Sequence, residues 1–105
     1  VSDNIWGLSD SHLFDQAFAR VTELSQGSKP FNLTLLTLGT HLPGFIYTGC
    51  SKYTGSKHDS AFLDAIHCTD HLVGKFIDQL VEAKILENTV VYIQGDHTIF
   101  PTHDM

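Results

Sequence analysis

Basic charge is scarce in this sequence. Six Lys and Arg, only one of them arginine, stand against twelve Asp and Glu, for a formal net charge of −6. Binding a nucleic-acid backbone requires clustered Lys and Arg, so this balance argues against that class of partner. Long apolar runs are missing too, and none approaches the ~20 residues that cross a bilayer. The opening Val1-Ser2-Asp3-Asn4 shows neither a basic nor an apolar signal region. No glycine-rich phosphate loop of the GxGxxG or GxxxxGK type occurs. Cysteine is limited to Cys50 and Cys68, too few for a structural zinc site. Three readings of that pair stay open: buried thiols, metal ligands, or one disulfide contributing on the order of 3 kcal/mol in an oxidising compartment.

What remains is an ordinary globular composition. The 105 residues are 42% hydrophobic, enough for one small domain or a part of a larger one. Seven histidines are an excess that raises the question of metal binding or phosphoryl transfer.

Periodicity organises the sequence. Leu13, Phe14, Ala17, Phe18, Val21 and Leu24 recur at helical spacing, which predicts a helix over about 11–26, capped by Asp10 or Ser11 and closed at Gly27. Residues 31–38, Phe-Asn-Leu-Thr-Leu-Leu-Thr-Leu, read as a strand covered on both faces. The glycine-bearing stretch 39–58 reads as a long loop. A second helix is expected over about 59–86, with Phe62, Ile66, Thr69, Val73, Phe76, Ile77 and Leu80 as its apolar stripe. Residues 89–94, Thr-Val-Val-Tyr-Ile-Gln, read as a second strand. The expected fold class is therefore α/β: a helix followed by a βαβ unit with parallel strands. Two such strands are not a stable sheet, so further strands are expected to flank them.

Ligands of open α/β sheets bind beyond the carboxyl ends of the strands. Two segments fall there, Gly39-Thr40-His41 and Gly95-Asp96-His97, and parallel strands would bring His41, Asp96 and His97 to one edge. A carboxylate beside an imidazole offers one hard and one borderline donor, suited to Mn²⁺ or Zn²⁺. The dipeptide alone says little, because Asp70-His71 repeats it within the second helix. Context separates the two: Asp96-His97 follows an apolar run and a glycine. His67 and His71, spaced i and i+4, belong with Asp64, Lys75 and Asp78 to a polar stripe that reads as a solvated face. No serine or threonine lies in a recognisable nucleophile elbow, Thr40 beside His41 being the nearest candidate.

Three segments together carry a family resemblance. They are Trp6-Gly7-Leu8-Ser9-Asp10 with Phe14-Asp15, then Pro30-Phe31 through Leu38-Gly39-Thr40-His41-Leu42-Pro43, then Asp64 to Asp70 leading to Asn88 through Gly95-Asp96-His97. Their order and spacing resemble the sulfatase-type catalytic domain of the phosphoglycerol transferases, in the alkaline phosphatase superfamily. The resemblance implies an enzyme that moves glycerol phosphate from a phospholipid donor to a glycan or polymer acceptor through a phosphorylated threonine. It implies Asp96 and His97 as ligands of a divalent metal, Mn²⁺ foremost, with Zn²⁺, Mg²⁺ or Ca²⁺ as alternatives. It implies that His41 binds the substrate phosphate and that Trp6 lines the glycerol-phosphate pocket. It also implies a catalytic domain at the cell inner membrane, facing the periplasm or the outside. That setting is oxidising and favours a Cys50–Cys68 disulfide.

The family's nucleophilic threonine and its acidic metal ligand have no match here, so the isolated chain is expected to be inactive, to bind metal weakly, and to self-associate through exposed strand edges. Leu8 stands where some members carry an arginine. A sulfatase or phosphodiesterase of the same superfamily, or a non-catalytic binding domain, are the competing readings.

Overall fold

A computed structural model of the protein describes residues 8–41, 44–47, 49–51 and 61–98. Helix α1 spans Asp10–Ser25 and helix α2 spans Ala61–Glu82, with a short 3-10 helix at Ile85–Asn88. The two long helices pack on one another.

Helix α1 begins one residue earlier than its apolar pattern suggests. Ser9, not Asp10 or Ser11, is the N-cap, with its side chain accepting from the His12 amide. The backbone carbonyl of Ser9 also accepts the first helical bond, from Leu13 N–H at 2.9 Å. At the other end Gln26 is the C-cap in a right-handed conformation. Gly27 donates to the Leu24 carbonyl at 3.2 Å without the left-handed geometry expected of a glycine cap.

The core is the seam between the helices. Phe14, Ala17 and Val21 of α1 meet Cys68, Leu72, Phe76 and Leu80 of α2, and Tyr47 and Ile85 complete the cluster. The rings of Phe14 and Phe76 lie 5.2 Å apart at 44°, a tilted pair of the kind aromatic quadrupoles favour. The buried face of α2 is rotated from the stripe read in the sequence. Ala65, Cys68 and Leu72 are buried, whereas Ile66 is 42% exposed. Small side chains at 65 and 68 explain the rotation, because Gly44 lies against Ala65 and Cys50 is bonded to Cys68.

Helix α2 stops where Lys84 takes a left-handed conformation, φ 62°. That turn redirects the backbone and seats Ile85, 5% exposed, in the core. A left-handed residue after a helix end is an ordinary stop signal, though glycine usually supplies it.

The expected βαβ unit is not formed. Among the described residues there is no strand, and both 31–38 and 89–94 lie outside regular structure. The physical reason is that a strand exists only through its ladder. Residues 31–35 keep a strand-like alternation, with Phe31, Leu33 and Leu35 half-buried and Asn32 and Thr34 exposed, yet they gain no ladder partner. The 89–94 segment shows no burial to match its apolar content: Val90, Tyr92 and Ile93 are 77%, 88% and 69% exposed. Among the described residues, the α/β expectation is thus corrected to two packed α-helices and a short 3-10 helix. Within the expected loop 39–58, residues 42–43, 48 and 52–58 lie outside the described residues.

Candidate functional site

Two separate regions hold the residues singled out by sequence. The first is the turn that carries His41. Its entrance is held by Asp10, whose carboxylate is wholly buried. Oδ1 accepts the Leu38 N–H and Oδ2 the Gly39 N–H, each at 2.8 Å. The backbone then folds back on itself. His41 N–H donates to the Leu38 carbonyl at 3.0 Å, Gly44 N–H to the His41 carbonyl at 2.8 Å, and Phe45 N–H to the Gly39 carbonyl at 2.9 Å. His41 itself is exposed.

The return limb of the turn is fastened to α2. Gly44 has φ +104°, and a Cβ there would lie 2.9 Å from the Ala61 carbonyl oxygen and 3.0 Å from the Ala65 Cβ. Only glycine combines that conformation with that approach. Tyr47 is 5% exposed, and Cys50 forms a disulfide with the buried Cys68 of α2. Helix α1 therefore holds the way in and helix α2 the way out.

The second region is Gly95-Asp96-His97. Asp96 Oδ1 accepts the His97 N–H at 2.9 Å. The His97 Nδ1 lies 2.7 Å from the Thr98 carbonyl oxygen. A carbonyl only accepts, so Nδ1 carries a proton, which leaves Nε2 as the ring nitrogen that can face an ion. Metal-ligating histidines are commonly oriented in this way. His97 Nε2 and Asp96 Oδ2 are 3.4 Å apart. Two ligands of one ion have about that separation when each bond is about 2.1 Å. The pair thus fits a divalent cation as two of its ligands. Both side chains are about 70% exposed.

The expected convergence of His41 with Asp96 and His97 does not occur. Among the described residues no group of three or more His, Cys, Asp or Glu is placed to hold one ion. That convergence depended on the parallel strands, which are absent among the described residues. Trp6 lies outside the described residues. Leu8 is half-buried. On α2, His71, Lys75 and Asp78 are exposed, but Asp64 is 6% exposed and does not belong to a solvated face. Sequence reasoning missed Asp10 and Gly39 as a working pair. The sequence marks Asp10 as a helix cap, and its position within the Trp6–Asp10 motif is the one signal of a further role.

The sequence profile of the sulfatase family matches residues 2–100, and the chain belongs to that family. Its curated relatives include phosphoglycerol transferase I of Xanthomonas campestris pv. campestris (strain B100), 34% identical over 99 residues that cover 91% of this chain and 14% of the relative. The phosphoglycerol transferase I of Citrobacter koseri is 31% identical over 99 residues, covering 90% of this chain and 13% of the relative. That of Escherichia coli (strain 55989 / EAEC) is 32% identical over 97 residues, again 90% and 13%. The chain therefore spans about one-seventh of the length of these relatives. No solved structure matches it.

Proposed function

We propose that this chain is the part of a phosphoglycerol transferase that supplies two ligands of a divalent-metal shell and one phosphate-binding histidine. The Asp96–His97 arrangement carries the reading, because its Nε2 and Oδ2, 3.4 Å apart, are spaced as ligands of one ion. The relatives are named for phosphoglycerol transfer, which supports glycerol phosphate as the group moved. The donor in this reading is a phospholipid bearing glycerol phosphate, and the acceptor a glycan or polymer hydroxyl. Asp96 and His97 are assigned to Mn²⁺, with Zn²⁺, Mg²⁺ or Ca²⁺ as alternatives to be separated by titration. Such an ion, when bound, neutralises phosphoryl charge and lowers the pKa of a nucleophile.

His41 donates to a non-bridging phosphate oxygen and steadies charge developing there. Trp6 is assigned to the glycerol-phosphate pocket. The nucleophile is a threonine outside this chain. Its hydroxyl oxygen loses a proton and forms the bond to phosphorus as the bond to the lipid alcohol breaks, and the departing alcohol takes up a proton. The acceptor hydroxyl, losing its own proton, then bonds to phosphorus as the bond to the threonine breaks, and the threonine oxygen regains a proton. A lipid donor places the work at the inner membrane, with the catalytic domain facing the periplasm or the outside. No described helix is long and apolar enough to cross a membrane.

The test is Mn²⁺-dependent release of glycerol phosphate from a phosphatidylglycerol analogue by a polypeptide that joins this chain to the remaining ligands. Activity that Asp96→Ala abolishes supports the reading. Turnover of a sulfate ester in its place favours a sulfatase, the alternative that the family name suggests. The 105-residue chain alone is expected to be inactive and to bind Mn²⁺ weakly, and tight one-to-one binding in calorimetry contradicts the two-ligand assignment. Exposed Leu36, Val90, Tyr92 and Ile93 are expected to make it self-associate, which sedimentation measures directly.

A further inference from the structure

We infer that Asp10 is a positioning residue: its buried carboxylate fixes the backbone of the His41 turn, and so sets where the imidazole stands. The inference rests on the reading of His41 as a phosphate-binding group. A fully buried carboxylate is costly unless hydrogen-bonded, which makes its partners informative. Asp10 sits at the first position of α1, where an acid commonly faces its own helix dipole. Instead it reaches residues 28 and 29 positions away and accepts from two consecutive amides.

Consecutive N–H groups of a strand point to opposite sides, so two aimed at one carboxylate force the backbone out of an extended path. The turn starts at that point. Gly39 is fitted to the arrangement, since a Cβ there would stand 2.7 Å from Asp10 Oδ2 and 3.1 Å from the Tyr47 ring. Two residues on, both backbone groups of His41 are engaged, the N–H by Leu38 and the carbonyl by Gly44. The imidazole is exposed, but the peptide that carries it is held by backbone bonds to Leu38 and Gly44, beside the Phe45 bond to Gly39. Charge-assisted bonds of this type are about twice as strong as neutral ones, which suits a carboxylate to the role.

The experiment is NMR on the full chain, parent against Asp10→Ala, Asp10→Asn and Gly39→Ala. Asp10→Ala should raise amide exchange at Leu38 and Gly39 at least about tenfold, the equivalent of losing one such bond, while α2 amides between Leu72 and Leu80 stay protected. The His41 ring shifts, titrated with sn-glycerol 3-phosphate, should show binding weakened at least about tenfold. Asp10→Asn, which keeps one acceptor oxygen, should recover part of both effects. Gly39→Ala leaves the carboxylate in place and should weaken His41 binding as well, so the idea stays testable if Asp10→Ala unfolds. Unchanged exchange at Leu38 and Gly39 overturns the clamp. Faster exchange with unaltered binding at His41 overturns the positioning role. A parent whose His41 shifts ignore glycerol phosphate sinks the phosphate-binding reading instead, and the exchange arm still decides the clamp.

Discussion

The His41 turn and the Asp96–His97 segment differ in what holds them. The turn is tied to α1 through a buried carboxylate and to α2 through Gly44, Tyr47 and a disulfide. The segment from Val90 to Thr98 is exposed at every residue, and the bonds of its Asp96 and His97 run between sequence neighbours. One half of the candidate machinery is thus positioned by tertiary structure and the other by local geometry alone. Local bonds can set a rotamer or a tautomer, whereas placing a group against another element takes burial. A metal shell assembled from such a segment needs its remaining ligands and backing from other parts of the polypeptide.

Substitutions should expose that asymmetry. Phe76→Ala removes a core ring packed on Phe14 and is expected to cost about 3–5 kcal/mol. Tyr92→Ala, at a residue 88% exposed, should change stability by less than about 0.5 kcal/mol. Urea melts followed by circular dichroism check both, and a comparable loss at Tyr92 would erase the contrast. Next in size is the disulfide, whose 18-residue separation predicts about 2–4 kcal/mol lost in a Cys50→Ala, Cys68→Ala double variant. The parent should lose a similar amount in reductant and the variant nothing. Gly44→Ala follows at about 1–3 kcal/mol, the left-handed backbone and the 2.9 Å approach to the Ala61 carbonyl acting together. Its effect should centre on the His41 turn, read as shift changes from Gly39 to Tyr47, with the Asp96–His97 signals unmoved.

The same contrast governs what could be read from sequence. A helix signals itself locally, and the Phe14, Ala17, Val21 repeat is also the buried apolar set of α1. On α2 the repeat is visible but its phase is not, because Ala65 and Cys68 are buried for what packs on them rather than for their own hydrophobicity. The Leu-Thr alternation at 31–38 and the β-branched run at 89–94 are equally visible. They signal a propensity, and a strand needs a partner that propensity does not supply. Asp96 and His97 could be proposed as a pair because they are adjacent. Asp10 and Gly39 could not be joined, since the bond between them spans 29 residues and no local pattern marks it.

A small stabilisation is expected at a residue that joins neither region. Lys84 is the described non-glycine residue with positive φ, at 62°. Holding an L-residue there costs about 1–2 kcal/mol through its Cβ. Glycine removes that cost but adds about 0.5–1 kcal/mol of backbone entropy to the unfolded state. The difference leaves Lys84→Gly stabilising by about 0.5 kcal/mol, a shift that careful urea melts resolve. Lys84→Ala retains the Cβ and should gain nothing, so the pair of variants separates backbone relief from the loss of a charge. Because the turn at Lys84 seats Ile85 in the core, relief there should protect the α2 amides and leave the exposed 90–98 segment as it was.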